Sequence, residues 1–290
     1  MRSFLPDFQV RVPATLPEAL DLLAAEPGAW TPLAGGTDLM VLFNAGRLQA
    51  RRFLDLSRLF ELRGVQDEPG RLTLGALTTF SELREQRVVH QCFPNLVKSA
   101  RATGALAIQN RGTLGGNIVN ASPAADTPPA LLAYGAEVEL TSPAGARWIP
   151  YADFHQGYKR MDLGPAELLT RIRLPKPEGM GYHFYRKVGT RQAQAISKVC
   201  LAAYARLEGR VLADLRIGLG AVAPVPARAT GTEALLRGRA LDALPFEAAR
   251  DALQADIAPI DDIRASAHFR RVVAGNVLVQ MLKELAAVRA

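Results

Sequence analysis

Apolar residues recur every three or four positions between residues 15 and 26. This spacing predicts an amphipathic helix with one buried face. Thr15 and Glu18 have the spacing of a capping box at the start of the helix, and Gly28 follows its end. The short apolar run Trp30–Leu33 predicts a strand that leads directly into a glycine-rich loop.

Strand and helix patterns then alternate as far as residue 174. Apolar alternation predicts the strands Phe53–Leu56, Arg71–Ala76, Glu137–Leu140 and Leu168–Leu174. Helical spacing and cap residues predict helices over 39–44, from Thr79 onwards, over Pro94–Arg101 and over Pro123–Tyr134. In the last helix, Ser122 is the predicted N-cap and Gly135 follows the end.

The pattern changes after Pro175–Gly179, a segment rich in proline and glycine that predicts a linker. Beyond it, three alternating runs predict antiparallel strands, namely His183–Val188, Lys198–Leu207 and Val211–Leu219. Two helices are predicted to follow, at about 246–256 and 264–288. The chain is therefore predicted to be α+β: a mixed N-terminal part, then a small antiparallel sheet with C-terminal helices.

Composition is that of a folded protein, with 49% apolar and 22% charged residues. A chain of 290 residues predicts two or three domains with a substantial core. Pro6 and Asp7 interrupt any apolar core of a signal peptide. No apolar run approaches the ~20 residues that span a bilayer. We therefore expect a cytoplasmic protein without a membrane span.

The net charge of +7 raises the question of nucleic-acid binding. The arginines are spread along the chain, however, without a basic run interleaved with aromatics, so we expect no nucleic-acid partner. Cys92 and Cys200 lie far apart and the four histidines are scattered, which argues against a metal or cluster in this chain. Buried free thiols are expected, although a disulfide between the two cysteines stays open.

Two glycine-rich stretches are the candidates for ligand binding. Ala34–Asp38 (AGGTD) follows a predicted strand, and Thr113–Asn117 (TLGGN) precedes a predicted helix. Closely spaced glycines expose backbone amides that can hold phosphate oxygens, and a helix start adds partial positive charge. Either stretch alone is equally compatible with an ordinary turn ahead of a helix.

A third glycine-rich stretch, Gly218–Ala223, has the spacing of a dinucleotide fingerprint. Pro224 and Pro226 prevent a helix from following it, so it is predicted to be a strand that passes into a loop. Asp126 is a candidate acid or base, or a partner of the helix dipole, but no nucleophile–base set accompanies it. Loops that hold phosphates without a reactive group indicate a cofactor that carries its own chemistry.

Six stretches of the chain share one further property, and they are Leu33–Leu39, Arg111–Asn117, Asn120–Asp126, Glu167–Pro175, Lys187–Arg191 and Pro259–Arg271. In sequence and in order, they resemble the FAD-binding medium subunit of molybdenum hydroxylases, the family of xanthine dehydrogenase and carbon monoxide dehydrogenase flavoproteins. The resemblance covers essentially the whole chain. Two glycine loops at the family's separation are far more specific than either loop alone.

The resemblance implies a two-part FAD-binding domain of the PCMH type at residues 1–175, with sub-parts at about 1–57 and 58–175. It implies a C-terminal flavoprotein domain at 180–290. The implied cofactor is FAD, and the residues implied to bind it are Leu33, Ala34, Gly35, Gly36, Thr37, Asp38, Leu39, Thr113, Leu114, Gly115, Gly116, Asn117, Asp126, Leu169 and Lys187. From the residues alone, Leu169 is expected in the core and Lys187 on the surface.

The resemblance also implies an electron-transfer role. Electrons are expected to pass from iron–sulfur centres of a small partner subunit through FAD to NAD or another acceptor, with a molybdenum cofactor in a large partner subunit. A stand-alone FAD-dependent oxidoreductase acting on a small substrate is the alternative within enzymes, and a basic scaffold with vestigial loops is the alternative outside them.

Overall fold

The computed structural model describes residues 7–178, 181–191 and 194–288. The strands are β1 (Gln9–Arg11), β2 (Thr31–Leu33), β3 (Arg52–Asp55), β4 (Val65–Glu68), β5 (Arg71–Gly75), β6 (Glu137–Ser142), β7 (Gly145–Pro150), β8 (His155–Gly157), β9 (Arg160–Met161), β10 (Leu168–Pro175), β11 (Gly181–Val188), β12 (Val199–Glu208), β13 (Val211–Gly220) and β14 (Ala227–Arg228).

The α-helices are α1 (Leu16–Ala25), α2 (Leu39–Asn44), α3 (Phe80–Glu85), α4 (Arg87–Cys92), α5 (Pro94–Ala102), α6 (Leu106–Gln109), α7 (Leu114–Val119), α8 (Pro128–Ala133), α9 (Tyr151–Phe154), α10 (Thr230–Leu236), α11 (Phe246–Asp256) and α12 (Ala267–Ala286). None of the helices in the described ranges is long and apolar enough to cross a membrane.

A small parallel sheet in the order β1-β3-β2 forms the first part of the chain. Helix α1 begins at Thr15, whose hydroxyl accepts a hydrogen bond from Glu18 N. The predicted capping box is wrong in its second half, because the Glu18 carboxylate accepts from Ala14 N rather than from the N-cap amide. Strand β2 delivers the chain into the first glycine loop.

A five-stranded antiparallel sheet, in the order β4-β5-β10-β6-β7, forms the second part. Helix α3 has the complete capping box predicted from Thr79 and Glu82. The main core lies between this sheet and helices α3, α5, α7 and α8, and its members are fully or nearly fully buried. This core fixes the segments that carry the second glycine loop.

A four-stranded antiparallel sheet, in the order β11-β12-β13-β14, forms the third part, with α10, α11 and α12 packed against it. The predicted hairpin between β12 and β13 is confirmed, with Gly209 in the left-handed region at φ +57°. The predicted strand-to-loop reading of Gly218–Ala223 is confirmed, since β13 ends at Gly220. The α+β prediction is therefore confirmed.

The helix predicted over Pro123–Tyr134 is wrong at its start. The structure has helix α7, a turn, and then α8, which begins at Pro128 with Thr127 as its N-cap. A helix begun at Pro123 would contain Pro128 and Pro129 in its interior, where proline removes a hydrogen bond and clashes with the preceding turn. Ser122 instead accepts from Ala124 N within the turn.

The linker predicted over Pro175–Gly179 begins with the last residue of β10, and Gly179 lies outside the described residues. The predicted helix over 264–288 is shorter at both ends, because Ser266 caps the amide of Phe269 and the helix ends at Ala286. Both cysteines are free, as predicted, although Cys92 is only half-buried.

Candidate functional site

The first glycine loop connects β2 to the short helix α2. Gly36 lies in the left-handed region at φ +72°, where an L side chain is strained, and its carbonyl accepts from Met40 N. Asp38 is exposed and precedes α2 without capping it through its side chain. Ala34, Gly35, Gly36 and Thr37 are half-buried and line the start of the loop.

The second glycine loop is the beginning of α7 rather than a free turn. Thr113 is the N-cap, and its hydroxyl accepts from Gly116 N at 3.1 Å. Leu114 N donates to Thr78 O and Gly115 N donates to Ala76 O. The alternative of an ordinary glycine turn at this stretch is therefore wrong, because both glycines have helical backbone and neither φ angle is positive.

Space, not backbone freedom, explains the two glycines of α7. A Cβ on Gly115 would stand 2.7 Å from Ala76 Cβ, and a Cβ on Gly116 would stand 2.8 Å from Thr113 Oγ1. Both distances are shorter than the contacts that Cβ atoms make in packed protein interiors. Glycine thus allows the first turn of α7 to pack tightly on the chain after β5 while its N-cap stays intact.

The first glycine loop touches the two residues that precede the second. A Cβ on Gly35 would overlap the Arg111 carbonyl and stand 3.1 Å from Gly112 Cα. A cavity of about 140 Å³ lies between the loops, and its wall is formed by Ala34, Gly35, Ser57, Arg63, Leu77, Thr79, Asn110, Arg111 and Thr113. Its volume suits a phosphate-sized group and is smaller than the ~300–1,000 Å³ that a whole ligand of drug size occupies.

Two cationic side chains in this cavity wall escaped the sequence-based site prediction. Arg63 and Arg111 are exposed at the cavity, and Arg63 lies 3.9 Å from Glu82 Oε1. Arg111 stands directly before the second glycine motif, which is a signal that could have identified it. Arg63 is some 50 residues from that motif, so only the fold brings it there.

Asp126 and Lys187 form a buried ion pair next to the second loop. Lys187 Nζ lies 2.7 Å from Asp126 Oδ2 and donates to Ala102 O at 2.8 Å. Only 11% and 9% of the two side chains are exposed. The expectation of a surface lysine is therefore wrong. The prediction that Asp126 lies in the first turn of a helix is also wrong, because it precedes Thr127, the N-cap of α8.

Buried polar groups surround this ion pair. Ser197 Oγ donates to Asp126 Oδ1 at 2.7 Å, and Tyr185 OH donates to the Asp126 carbonyl at 3.2 Å. Burial raises the pKa of the Asp126 carboxyl, while Lys187 and Ser197 act in the opposite direction. Burial also raises the pKa of the Cys200 thiol to about 12, which keeps it protonated at neutral pH.

Asn117 connects the second glycine loop to the segment that carries the ion pair. Asn117 Oδ1 accepts from Thr127 Oγ1 at 2.5 Å, and Thr127 follows Asp126 directly. Leu169 is 7% exposed on β10, in the same core as α7, as expected for a core residue. Among the predicted site residues, Leu33 ends β2 and Leu39 begins α2, so the two residues frame the first loop.

A small cavity lined by parts of both glycine loops and by two arginines is the kind of site that suits a phosphate-containing cofactor. Family models agree with this class. Residues 6–177 match the FAD binding domain in molybdopterin dehydrogenase, and residues 183–285 match the CO dehydrogenase flavoprotein C-terminal domain. The chain belongs to the family of FAD-binding subunits of molybdopterin dehydrogenases, and the predicted resemblance is confirmed.

Relatives are similar over nearly their whole length. The putative xanthine dehydrogenase FAD-binding subunit XdhB of Escherichia coli K12 is 34% identical over 278 residues, covering 94% of each chain. The carbon monoxide dehydrogenase medium chain of Hydrogenophaga pseudoflava is 30% identical, covering 96% of each chain.

Solved structures show the same fold. A chain of carbon monoxide dehydrogenase from Hydrogenophaga pseudoflava superimposes with a TM-score of 0.94 at 29% identity, covering 99% of this chain and 100% of that chain. A chain of quinoline 2-oxidoreductase from Pseudomonas putida 86 gives 0.89 at 28% identity, covering 98% of each. This chain is thus an FAD-binding subunit of an oxidoreductase, and FAD is its cofactor.

Proposed function

We propose that this chain is the electron-transfer subunit of a molybdenum hydroxylase complex. In this proposal, electrons reach its FAD from iron–sulfur centres of a small partner subunit and leave to NAD or another acceptor. The molybdenum cofactor belongs to a large partner subunit. Bound FAD supplies the chemistry, since it can take up and release electrons one or two at a time.

The contact between the first glycine loop and the residues that lead into the second is the observation that carries this proposal. At Gly35 even a methyl group would overlap the Arg111 carbonyl, so the first loop and the segment before the second loop form a narrow cradle of backbone and small side chains. Residues 34–38 and 113–117 are proposed to hold the FAD pyrophosphate. Arg63 and Arg111 are proposed to balance its two negative charges, because guanidinium groups pair well with phosphate oxygens.

The buried ion pair is proposed to face the flavin part of the cofactor. Lys187 presents a fixed positive charge and Asp126 a fixed negative charge in a region of low exposure. Charges that are held in place in a low dielectric influence a nearby cofactor strongly and need little reorganisation. Leu169, in the adjacent core, is proposed to exclude water beside the flavin.

The proposed domains are 1–175 for FAD binding, with sub-parts at about 1–57 and 58–175, and 180–290 for the C-terminal flavoprotein domain. Partner subunits are proposed because relatives are named as subunits or medium chains of larger enzymes. The cytoplasmic location stays a prediction from the sequence.

A visible spectrum of the purified chain tests cofactor binding. We expect flavin absorbance in the isolated chain or after FAD is added, at one FAD for each chain. A colourless protein that takes up no added FAD would contradict the cradle. Affinity purification of the tagged chain from its native cells tests the partners: molybdenum and iron are expected in the eluate, and an eluate with flavin but neither metal favours a stand-alone flavoenzyme.

A further inference from the structure

Arg270, on the C-terminal helix α12, is a buried cation that was not among the predicted site residues. Only 5% of its side chain is exposed. Its Nη1 donates to the carbonyl of Ala221 at 2.5 Å and to that of Lys198 at 3.3 Å. Its Nη2 donates to Asp262 Oδ1 at 2.7 Å, which neutralises the charge. One guanidinium therefore joins three separate segments of the chain.

The first of these segments leads to the cofactor site through Ala221. The Ala221 amide donates to Pro123 O at 2.7 Å, and Pro123 lies three residues before Asp126. Ala221 has a φ of +63°, in the left-handed region that a non-glycine residue rarely adopts. Such a conformation persists only where its surroundings hold it, and here Arg270 holds the carbonyl of the same residue.

The second segment reaches Asp126 from the other side. Lys198, whose carbonyl accepts from Arg270, follows Ser197 directly. The Ser197 hydroxyl donates to Asp126 Oδ1 at 2.7 Å. Two routes of hydrogen bonds and adjoining backbone therefore start at one guanidinium: the first reaches the turn that carries Asp126, and the second reaches the Asp126 carboxylate through Ser197.

The third segment keeps the guanidinium in place. Asp262 also accepts from Arg264 N at 2.8 Å and from Ala265 N at 3.1 Å, so its carboxylate is fixed by the loop that precedes α12. A planar guanidinium can serve two carbonyls and a carboxylate at once, whereas a lysine ammonium is a flexible point charge. Arginine is thus the side chain that suits this position.

We propose that Arg270 is a positioning residue, which holds the turn of Asp126 and the Ser197 hydroxyl in the geometry that the FAD site requires. This inference rests on the proposed role of Asp126 at the flavin. It assigns to the C-terminal helix an indirect influence on the cofactor, although no residue of that helix belongs to either glycine loop.

The test compares Arg270→Met and Arg270→Lys with Arg271→Lys. Arg271, the next residue of α12, also donates to a backbone carbonyl, that of Gln254 on α11 at 3.1 Å, and so provides a matched control. For each variant, the FAD dissociation constant of the apoprotein, the flavin midpoint potential and the midpoint of thermal unfolding are measured.

Arg270→Met is expected to bind FAD about tenfold more weakly, or about 1.4 kcal/mol, and to shift the midpoint potential. Arg270→Lys is expected to recover part of both, and Arg271→Lys is expected to match the wild type. If Arg270→Met fails to fold, Arg270→Lys decides, with a weaker affinity and a shifted potential as its expected result. An unchanged affinity and potential in the folded variants, with only the thermal midpoint lowered, would show a merely structural role. A wild type that binds no FAD overturns the proposed function instead.

Discussion

At the scale of single residues, the buried ion pair between Lys187 and Asp126 is sensitive to the loss of either partner. Each partner has given up its hydration, and each is compensated by the other and by a few fixed hydrogen bonds. Breaking such a pair costs more than its formation gains, because the remaining charge is buried without its counter-ion. Asp126 and Lys187 are 61 positions apart in the sequence, which explains why no local pattern reveals the pair.

Lys187→Met is expected to lower the free energy of unfolding by about 3–5 kcal/mol, because Asp126 is left as an uncompensated buried charge. Urea titration of the apoprotein measures the change. Lys176→Met is the control, since Lys176 pairs with Asp67 at a site where 52% of the aspartate side chain is exposed. Its cost is expected to stay below about 1 kcal/mol. Equal costs for the two variants would contradict the assignment of a buried pair.

Gly35 provides a second prediction at this scale. Gly35→Ala is expected to lower FAD occupancy strongly and to cost about 1–3 kcal/mol, since the new methyl group overlaps the Arg111 carbonyl and pushes the loops apart. Flavin absorbance per chain and a urea titration measure the two effects. At Gly157 a Cβ would meet nothing closer than 3.9 Å, so Gly157→Ala is expected to behave as the wild type. Full flavin content in Gly35→Ala would contradict the proposed FAD cradle.

At the scale of elements, short helix α7 depends on its cap. Six residues with two glycines have little intrinsic helical stability, so packing and the Thr113 hydroxyl hold the first turn. The same turn places Thr113 in the wall of the cavity between the loops. The helix cap and the second glycine loop are therefore one structure, and a change in the cap is expected to reach a ligand bound at the proposed site.

Thr113→Ala is expected to lower the free energy of unfolding by about 1 kcal/mol and to weaken FAD binding, because Gly116 N loses its acceptor. Thr113→Ser retains the hydroxyl and is expected to preserve both properties. Thermal unfolding and an FAD titration of the apoproteins measure the effects. If Thr113→Ser weakened FAD binding as much as Thr113→Ala does, the methyl group of Thr113 and not its capping hydroxyl would be responsible.

Elements with strong local signals were predictable from the sequence. The Thr79–Glu82 capping box and the glycine hairpin at Gly209 are local features, and both are confirmed. Strand β7 (Gly145–Pro150) was missed because it is largely exposed and lacks alternation. In the site, the glycine motifs were found, but Arg63 was not, since only long-range folding brings it to the cavity.

At the scale of the whole molecule, a polar seam joins the second and third parts of the fold. Asn95 Nδ2 donates to Ala203 O at 2.8 Å, and Asn95 N donates to Tyr134 OH at 3.0 Å. Tyr134 OH lies 3.0 Å from His183 Nδ1. Because the backbone amide can only donate, the Tyr134 hydroxyl proton is free to point at His183. Nδ1 is then the acceptor, which requires a neutral imidazole with its proton on Nε2.

This seam predicts that the folded protein loses stability in acid. Burial, together with the nearby positive charge of Lys98, lowers the pKa of His183 from 6.5 to about 4. Between these values the unfolded chain binds a proton that the folded chain does not, so stability falls as pH falls from about 6.5 towards 4.

His183→Gln retains an acceptor for Tyr134 without a titrating group, and is expected to lose less stability than the wild type between pH 7 and pH 5. The difference is expected to be about 1 kcal/mol, reduced from the full linkage value because His183 is partly exposed. His268→Gln, at an exposed position of α12, is the control and is expected to follow the wild type. His155, whose pKa burial also lowers to about 4, contributes equally to all three proteins. Parallel pH profiles for the wild type and His183→Gln would show that the seam does not require a neutral histidine.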